Sequence, residues 1–303
     1  MRLNVLKKIT LTGAALVLTL PAFAQTTGTL DKVKQSGAIT LAYRESSVPF
    51  SYLDDKAQPV GFGHEICLKI VDEVKKVTGR ADLKVNLQAV TSANRIPLLQ
   101  NGTIDIECGS TTNNSTRGKQ VQFAINYFYT GTKFLVKTGT TVKSIEDLKG
   151  KTIVSTAGTT NIKGMTEINA AKNLGMNIIS ANGHPEAFQM VETGRAVAFV
   201  MDDILLYSLA AQSRNPKDYA ISAEALSVEP YGIMMRRDDP AFKKVVDNAM
   251  VQTYKSGAIS GIYDKRFQKP VPPRGINLNV PMSEQFKKVI KNPTDSGDPK
   301  DYQ

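Results

Sequence analysis

The feature that most constrains the fold is an alternation of short apolar runs with amphipathic segments, which starts near residue 37. In the segment 65–76, Ile66, Ile70 and Val74 recur at helical spacing, while lysine and aspartate side chains fall on the other face. The apolar runs that predict strands are residues 39–43, 85–90, 104–108, 151–154, 177–180 and 196–201. Because strands that alternate with helices favour parallel sheets, the sequence predicts an α/β fold.

The chain length of 303 residues and the order of the elements predict two lobes. Residues 98–106 and 190–198 are built alike, since each holds the end of a helix, then a glycine, then an apolar strand. This pattern is common in α/β proteins, so it indicates two similar lobes without proving a repeat. The extended segments 132–136 and 231–235 flank the second lobe, and we expect the chain to cross between the lobes there.

We therefore predict a first lobe formed by residues 25–131 together with residues 231–282, and a second lobe formed by residues 132–230. Each lobe is expected to contain a mostly parallel sheet flanked by helices, with the two crossing strands acting as a hinge. The remaining residues, 283–303, end in a polar stretch and predict a weakly ordered C-terminal tail.

The N-terminus has the pattern of a secretory signal peptide over residues 1–24. Basic residues come first, the apolar run 9–20 follows, and the small residues Ala22 and Ala24 mark a cleavage site near Ala24. The apolar run is shorter than the roughly 20 residues that span a bilayer, so we expect no membrane insertion. Cleavage removes three basic and no acidic residues, which lowers the formal net charge of +10 by three.

Export bears on the two cysteines, Cys67 and Cys108, because an oxidising compartment favours disulfides. We expect one bridge between a helix and a strand, although two buried thiols acting as small apolar side chains stay open as an alternative. A metal site is not predicted, since the chain has only two cysteines and two histidines, at no spacing typical of zinc ligands. His64-Glu65 begins like a metalloprotease motif, but the fifth position of that motif is Leu68.

The sequence holds no nucleophile elbow, Walker loop or complete dinucleotide-binding glycine motif, which favours a binding protein over an enzyme. Cationic and hydroxyl side chains instead follow several predicted strands, where open α/β sheets place ligand sites. Each arginine taken singly is more often a surface residue, so their shared position carries the interpretation. The candidates are Arg44, Ser92, Arg95, Ser110, Thr112, Arg117, Thr159, Thr160 and Asp202.

A series of motifs resembles the periplasmic solute-binding proteins that serve ABC importers of polar amino acids. They lie in the family's order at residues 41–44, 49–52, 60–62, 95–105, 110–117, 145–151 and 158–160. The resemblance covers nearly the whole mature chain. It implies a two-lobed periplasmic-binding-protein fold of type II, a periplasmic location, a permease as partner, and no cofactor. Within the family the likeness is greatest to members that bind L-glutamate or L-aspartate, and the sequence does not rank these two ligands.

The resemblance also implies a role for each candidate residue. Arg117 would grip the ligand α-carboxylate as a bidentate fork, helped by Ser110 and Thr112. Thr160, next to Thr159 at the start of a helix, would offer backbone N–H groups from the opposite lobe. Asp202 would receive the ligand ammonium, which points to a zwitterion.

Selection of an acidic side chain needs further cationic donors, and the resemblance assigns that role to Arg44, Arg95, Ser92 and His184. Family members also pack the aliphatic stem of the ligand with aromatic rings, for which Phe50 or Tyr52 is the candidate here. For His184, which precedes a proline at a predicted helix start, a plain capping role is an equal alternative.

Other functions stay open at this point. The first is an enzyme on the same scaffold, such as a dehydratase for a small acid, with His184 as the single acid–base candidate. A second is a receptor for another polar amino acid. A nucleic-acid or membrane-surface binder is disfavoured, because the basic residues are dispersed and the chain has no tryptophan. We expect a monomer.

Overall fold

The structure is a computed structural model that describes residues 28–302. The predicted signal peptide, residues 1–24, lies outside the described residues, so its cleavage site stays a prediction. Within residues 28–302, no helix is both long and apolar enough to cross a membrane.

The described chain alternates strands and helices as the apolar pattern predicts. The strands are β1 (Ala38–Tyr43), β2 (Ser46–Ser47), β3 (Ser51–Leu53), β4 (Pro59–Val60), β5 (Lys84–Ala89), β6 (Ile106–Glu107), β7 (Gln122–Lys137), β8 (Thr152–Thr156), β9 (Asn177–Ala181), β10 (Ala198–Asp202), β11 (Tyr219–Ile221) and β12 (Ser227–Met235). The α-helices are α1 (Thr29–Ser36), α2 (Phe62–Thr78), α3 (Arg95–Gln100), α4 (Ser115–Gly118), α5 (Thr160–Ala171), α6 (His184–Glu192), α7 (Asp203–Gln212), α8 (Pro240–Lys255), α9 (Ala258–Tyr263) and α10 (Glu284–Lys291). Short 3₁₀ turns cover Glu146–Leu148, Pro216–Asp218 and Pro299–Asp301, and a π-helical turn covers Asp264–Gln268.

The main sheet runs through both lobes in the order β5-β1-β6-β12-β7-β10-β8-β9, with β11 added to β7. Lobe 1 is the half built on the parallel strands β5, β1 and β6, and lobe 2 is the half built on the parallel strands β10, β8 and β9. The long strands β7 and β12 pair antiparallel with each other between the two halves. They contain the predicted crossings at residues 132–136 and 231–235. The α/β fold with mostly parallel sheets is thus confirmed, while the exact residue bounds of the lobes stay a prediction.

Helix α2 forms for the reason given by its sequence, because Ile66, Ile70 and Val74 all fall on the face that packs against the core. That face lies beside α8, which returns to lobe 1 as expected. Cys67, on the same helix, forms a disulfide with Cys108 just after β6, with the two Cα atoms 6.0 Å apart. The predicted bridge is therefore present, and it anchors the loop that follows β6.

The prediction of a weakly ordered tail is wrong for the described part of that segment. Helix α10 buries Phe286 against the core, and the chain after it returns to β7. There the backbone N–H of Asn126 donates to the Thr294 carbonyl over 2.9 Å, and Lys243 pairs with Asp295 at 2.8 Å. A polar composition alone suggested disorder, but these polar groups find partners on lobe 1.

Candidate ligand-binding site

The predicted site residues meet in one cavity between the two lobes. All of them except Arg44 line it, together with Asn161, Met201 and Leu205. Arg44 lies directly behind, with Nη2 3.4 Å from His184 Nε2. The cavity holds about 10 Å³, which is room for a single water molecule, so a ligand the size of an amino acid would fit only if the lobes moved apart.

The topology explains why residues so distant in sequence meet. In lobe 1, Arg44 follows β1, Ser92 follows β5, and Ser110 follows β6. These three strands are parallel, so the residues that come after them lie at one edge of the sheet. In lobe 2, α5 and α6 start after β8 and β9, and Asp202 is the last residue of β10. Each lobe therefore contributes the carboxyl ends of its parallel strands.

Ser92 lies shortly before the helix that follows β5, but it does not cap that helix. Helix α3 begins at Arg95, and the residue that precedes it is Asn94. Ser92 is buried and faces the cavity instead. Ser92 is thereby free of a capping role and available to a ligand.

The lobe 1 wall is a cluster of three buried arginines. Arg95 is 2% exposed and donates from Nη1 to the Ser110 carbonyl over 3.1 Å. Arg117 donates to the Thr112 carbonyl over 2.9 Å. Burial, reinforced by the positive charge of Arg95, lowers the pKa of Arg44 and of Arg117 to about 9, so both stay charged at neutral pH. A cluster of buried positive charges favours an anion beside it.

Several polar atoms of this wall have no hydrogen-bond partner within the described residues. They are Arg44 Nη1, Arg95 Nε, Ser92 Oγ and Ser110 Oγ, all buried. A buried donor without a partner costs free energy, so most such groups in folded proteins are satisfied. Three of these four residues, Ser92, Arg95 and Ser110, line the cavity, and their side chains carry groups that can donate to an anion placed in it.

His184 is held as a neutral imidazole. Burial and the charges of Arg44 and Arg95 lower the pKa of its ring well below the usual value. Arg44 can only donate, so Nε2 accepts from it and Nδ1 carries the proton toward the Thr156 hydroxyl, 2.9 Å away. The capping alternative is not supported, since α6 takes Gly183 as its N-cap and the His184 side chain lines the cavity.

The opposite wall carries negative charge. Asp202 accepts a hydrogen bond from Asn161 over 2.7 Å and another from the Tyr231 hydroxyl. Burial and the nearby negative charge of Glu229 raise the pKa of Asp202 to about 7. Glu229 itself accepts from the Thr160 hydroxyl over 2.9 Å. A ligand cation beside Asp202 would relieve this repulsion.

Helix α5 presents its N-terminus to the cavity. Thr159 caps the helix by accepting from the backbone N–H of Ile162 over 3.3 Å. The hydroxyl of Thr160 lies 3.3 Å from that of Thr112 in lobe 1. The start of the helix thus faces the arginine wall, where its dipole favours an anion.

The aromatic prediction is wrong. Phe50 is fully buried in a ring cluster, 4.8 Å from the Phe128 centroid, and the Tyr52 hydroxyl contacts Arg266 at 3.1 Å. Neither lines the cavity, because the turn region after β1 folds against the core. The apolar side chains that do line it are Met201 and Leu205.

Sequence reasoning missed three buried polar residues around the cavity: Asn161, Tyr231 and Glu107. Asn161 directly follows two predicted site threonines, so its position was a usable signal. Glu107 is an acidic residue inside a short apolar strand, which also deserved notice. Tyr231 lies in a crossing strand, and nothing in its local pattern indicates that it reaches Asp202.

Within residues 28–302, no group of three or more histidine, cysteine, aspartate or glutamate side chains lies close enough together to hold a metal ion.

The chain is similar to known solute-binding proteins. Residues 39–269 match the model of the bacterial extracellular solute-binding proteins, family 3. The chain is 52% identical to the L-glutamate/L-aspartate-binding protein of Pseudomonas aeruginosa, over 93% of this chain and 94% of that protein. It is 45% identical to the glutamate/aspartate import solute-binding protein of Escherichia coli, over 88% of each chain.

Solved structures of amino-acid-binding proteins share the fold. An ancestral arginine-binding protein bound to arginine has a TM-score of 0.69 at 30% identity, covering 76% of this chain and 98% of that chain. An ancestral amino-acid-binding protein described as a precursor of cyclohexadienyl dehydratase has a TM-score of 0.65 at 28% identity, covering 78% and 99%. The two-lobed fold is common to these proteins.

Proposed function

The chain belongs to family 3 of the bacterial extracellular solute-binding proteins, and on that premise we propose that it is the periplasmic receptor of an ABC importer for L-glutamate or L-aspartate. The observation that carries the proposal is the pairing of two opposite walls. The buried arginines Arg95 and Arg117, with Arg44 behind them, lie across one closed cavity from the buried carboxylate of Asp202, and Arg44 and Arg95 each hold a donor without a partner within the described residues. This arrangement suits a zwitterion that bears one additional carboxylate.

Arg117 is the proposed partner of the ligand α-carboxylate. Its planar guanidinium matches a carboxylate with two parallel hydrogen bonds, and burial strengthens such a pair. Ser110 and Thr112 lie beside it, and the start of α5 faces it from lobe 2. The carboxylate would thus contact both lobes, which gives it a direct part in closure.

Arg44, Arg95, Ser92 and His184 form the proposed pocket for the side-chain carboxylate. Neutral His184 accepts from Arg44 and so orients a guanidinium that has a second, unpartnered nitrogen. A ligand with a neutral side chain amide would leave buried positive charge unpaired. We therefore expect discrimination against glutamine and asparagine.

Asp202 is the proposed partner of the ligand ammonium. Asn161 and Tyr231 hold its carboxylate in place, and burial together with the negative charge of Glu229 raises its pKa to about 7, so a nearby cation would stabilise the ionised form. Because an anion without an ammonium gains nothing from Asp202, this wall favours an amino acid over a simple dicarboxylate.

Closure is proposed to occur by hinge bending at β7 and β12, which run between the lobes. The liganded monomer would then deliver its amino acid to the permease, a role consistent with the import function in the name of the E. coli relative. The relatives from P. aeruginosa and E. coli are both named as binding proteins. Because the chain belongs to the same family of solute-binding proteins, it is a binding protein and not an enzyme.

Calorimetry on mature protein stripped of ligand tests the proposal. We expect micromolar or tighter binding of glutamate or aspartate and much weaker binding of glutamine. Arg117→Ala should abolish binding of every amino acid, whereas Arg95→Ala should weaken the acidic ones selectively. Arg195→Ala, an exposed arginine outside the cavity, is the control and should bind as the wild type does.

Absence of binding to both acidic amino acids would refute the proposed ligand. Equal effects of Arg117→Ala and Arg95→Ala on all ligands would refute the division of roles. Mass spectrometry of small molecules released by denaturing freshly purified protein gives an independent identification.

A further inference from the structure

Glu107 is a fully buried carboxylate at the end of β6, next to the arginine wall but outside the set of proposed ligand contacts. One carboxylate oxygen, Oε2, accepts from the Thr111 hydroxyl over 2.7 Å. The other, Oε1, lies 3.9 Å from Arg95 Nη1 and has no hydrogen-bond partner within the described residues. Burying a carboxylate costs free energy unless its charge is paired and its oxygens are hydrogen-bonded.

The backbone beside Glu107 is shaped to bring this carboxylate close to the arginines. A Cβ atom at Gly109 would lie closer than 3.0 Å to both Glu107 Oε1 and Arg44 Cγ. A side chain at position 109 would therefore push these two groups away. The disulfide at Cys108, which lies between Glu107 and Gly109, fixes this short segment to α2.

The charge of Glu107 reaches all three arginines. It forms an ion pair with Arg95, and its negative charge counteracts the effect of burial on the pKa of Arg44 and of Arg117. Since His184 is neutral, the lobe 1 wall contains three positive charges and one negative charge. This net charge of two positive units is equal in magnitude, and opposite in sign, to the charge of two ligand carboxylates.

We propose that Glu107 determines which ligand charge the site prefers. It acts through the arginines and sets the net charge of the lobe 1 wall at two positive units, which a dicarboxylic amino acid neutralises. This inference rests on the proposed function and adds a residue that touches the arginines and not the ligand. A ligand with one carboxylate leaves one buried positive charge unpaired. Without Glu107, the same ligand would leave two.

The test is the ratio of the glutamine Kd to the glutamate Kd, measured by calorimetry. Glu107→Gln keeps the shape and removes the charge. The arginines should then attract the second ligand carboxylate more strongly, so the ratio should rise about tenfold. Asp105→Asn is the matched control. Asp105 is another buried carboxylate from the same chain segment, paired with Lys32 at 2.7 Å, so its variant should keep the wild-type ratio within about twofold.

A second comparison removes both partners of the Glu107–Arg95 ion pair, so it applies even if Glu107→Gln alone does not fold. Arg95→Met leaves a net charge of one, so its ratio should fall. Adding Glu107→Gln to Arg95→Met restores two positive units, and the ratio should recover about tenfold relative to Arg95→Met. A merely structural role predicts further loss and no recovery.

An unchanged or lower ratio in Glu107→Gln, or no recovery in the double variant, overturns the inference. Failure of the proposed function looks different, because the wild-type protein would then bind neither glutamate nor aspartate. A wild type that prefers glutamate, with a ratio that ignores Glu107, refutes only the role of Glu107.

Discussion

The guanidinium of Arg117, in lobe 1, donates a hydrogen bond to the carbonyl of Gly158, in lobe 2, over 3.0 Å. The same guanidinium donates to Thr112 within its own lobe. In the proposed function the ligand α-carboxylate would use these N–H groups, so the ligand would exchange with a contact that joins the two lobes. Arg117 would thereby link ligand binding to closure.

Gly158→Ala is expected to prevent full closure. A Cβ at this position would lie 2.5 Å from Ala93 Cα and 2.6 Å from the Ser92 carbonyl oxygen, both backbone atoms of the opposite lobe. We expect glutamate affinity to fall by about tenfold or more, since the contacts between the lobes form only in the closed state. Calorimetry and small-angle X-ray scattering with ligand measure the two effects.

The control for Gly158→Ala must separate the clash from backbone strain. Gly158 has φ +74°, a conformation that costs a residue with a side chain about 1 kcal/mol. Gly150 has φ +69° and no atom within 4 Å of its Cβ position, so Gly150→Ala carries similar strain without the clash. Equal loss of affinity in both variants would contradict a role for Gly158 in closure.

Ligand binding should release a proton near pH 6. The folded ligand-free protein holds the pKa of Asp202 at about 7, above the ordinary value of 3.8, and a ligand ammonium would lower it again. Affinity should therefore weaken as pH falls below 7. Calorimetry at pH 6 in two buffers of different ionisation enthalpy measures the released proton, and binding without proton release would contradict the assignment of Asp202.

The same pKa has a consequence for stability. Asp202 binds a proton more tightly in the folded state than in the unfolded state, so its contribution to the free energy of unfolding falls as pH rises from about 4 to 7. Burial raises this pKa most, the negative charges of Glu229 and Asp203 raise it further, and the hydrogen bonds from Asn161 and Tyr231 lower it. The difference between wild type and Asp202→Asn across this pH range isolates the contribution, and a flat difference would exclude it.

Removal of the disulfide should weaken both stability and binding. Cys67 and Cys108 are 41 residues apart, and the chain-entropy model gives about 4 kcal/mol for closing such a loop. The double variant Cys67→Ala/Cys108→Ala should lose about this free energy of unfolding in urea, and its glutamate affinity should fall because the loop with Ser110 and Thr112 loses its anchor. Reductant should destabilise the wild type and leave the variant unchanged. A reductant-insensitive wild type would contradict this role.

Deletion of residues 292–303 should destabilise lobe 1. The deleted segment accepts hydrogen bonds from Asn126 at 2.9 Å and 2.8 Å and from Asn113 at 2.7 Å. Their loss should cost about 1–3 kcal/mol in the free energy of unfolding, measured by thermal denaturation. A shorter deletion that begins at Pro299 keeps these bonds and should have a smaller effect. Equal stability of the longer deletion and the full chain would mean that these contacts are unimportant.

The sequence predicted the site better than it predicted its surroundings. Arg44, Arg95 and Arg117 follow apolar strands, and the geometry of parallel sheets brings strand ends together, so local pattern sufficed. Phe50 illustrates the opposite case. Its neighbours in the ring cluster, Phe128 and Tyr231, come from distant strands, and no local pattern tells whether such a ring faces a ligand or the core.

The sequence by itself determined the α/β architecture, the crossing segments, the resemblance to amino-acid receptors and the residue types of the site, because periodicity and motifs are local properties of the chain. Only the tertiary structure decided which charges act together. Glu107 beside Arg95, Tyr231 on Asp202, and the close approach of Gly158 to Ala93 all depend on how strands from different parts of the chain pack. The resemblance pointed to an acidic ligand, but electrostatic energy depends on distances and burial in three dimensions, so the physical argument for the proposed selection of a dicarboxylate needs the folded positions of these groups.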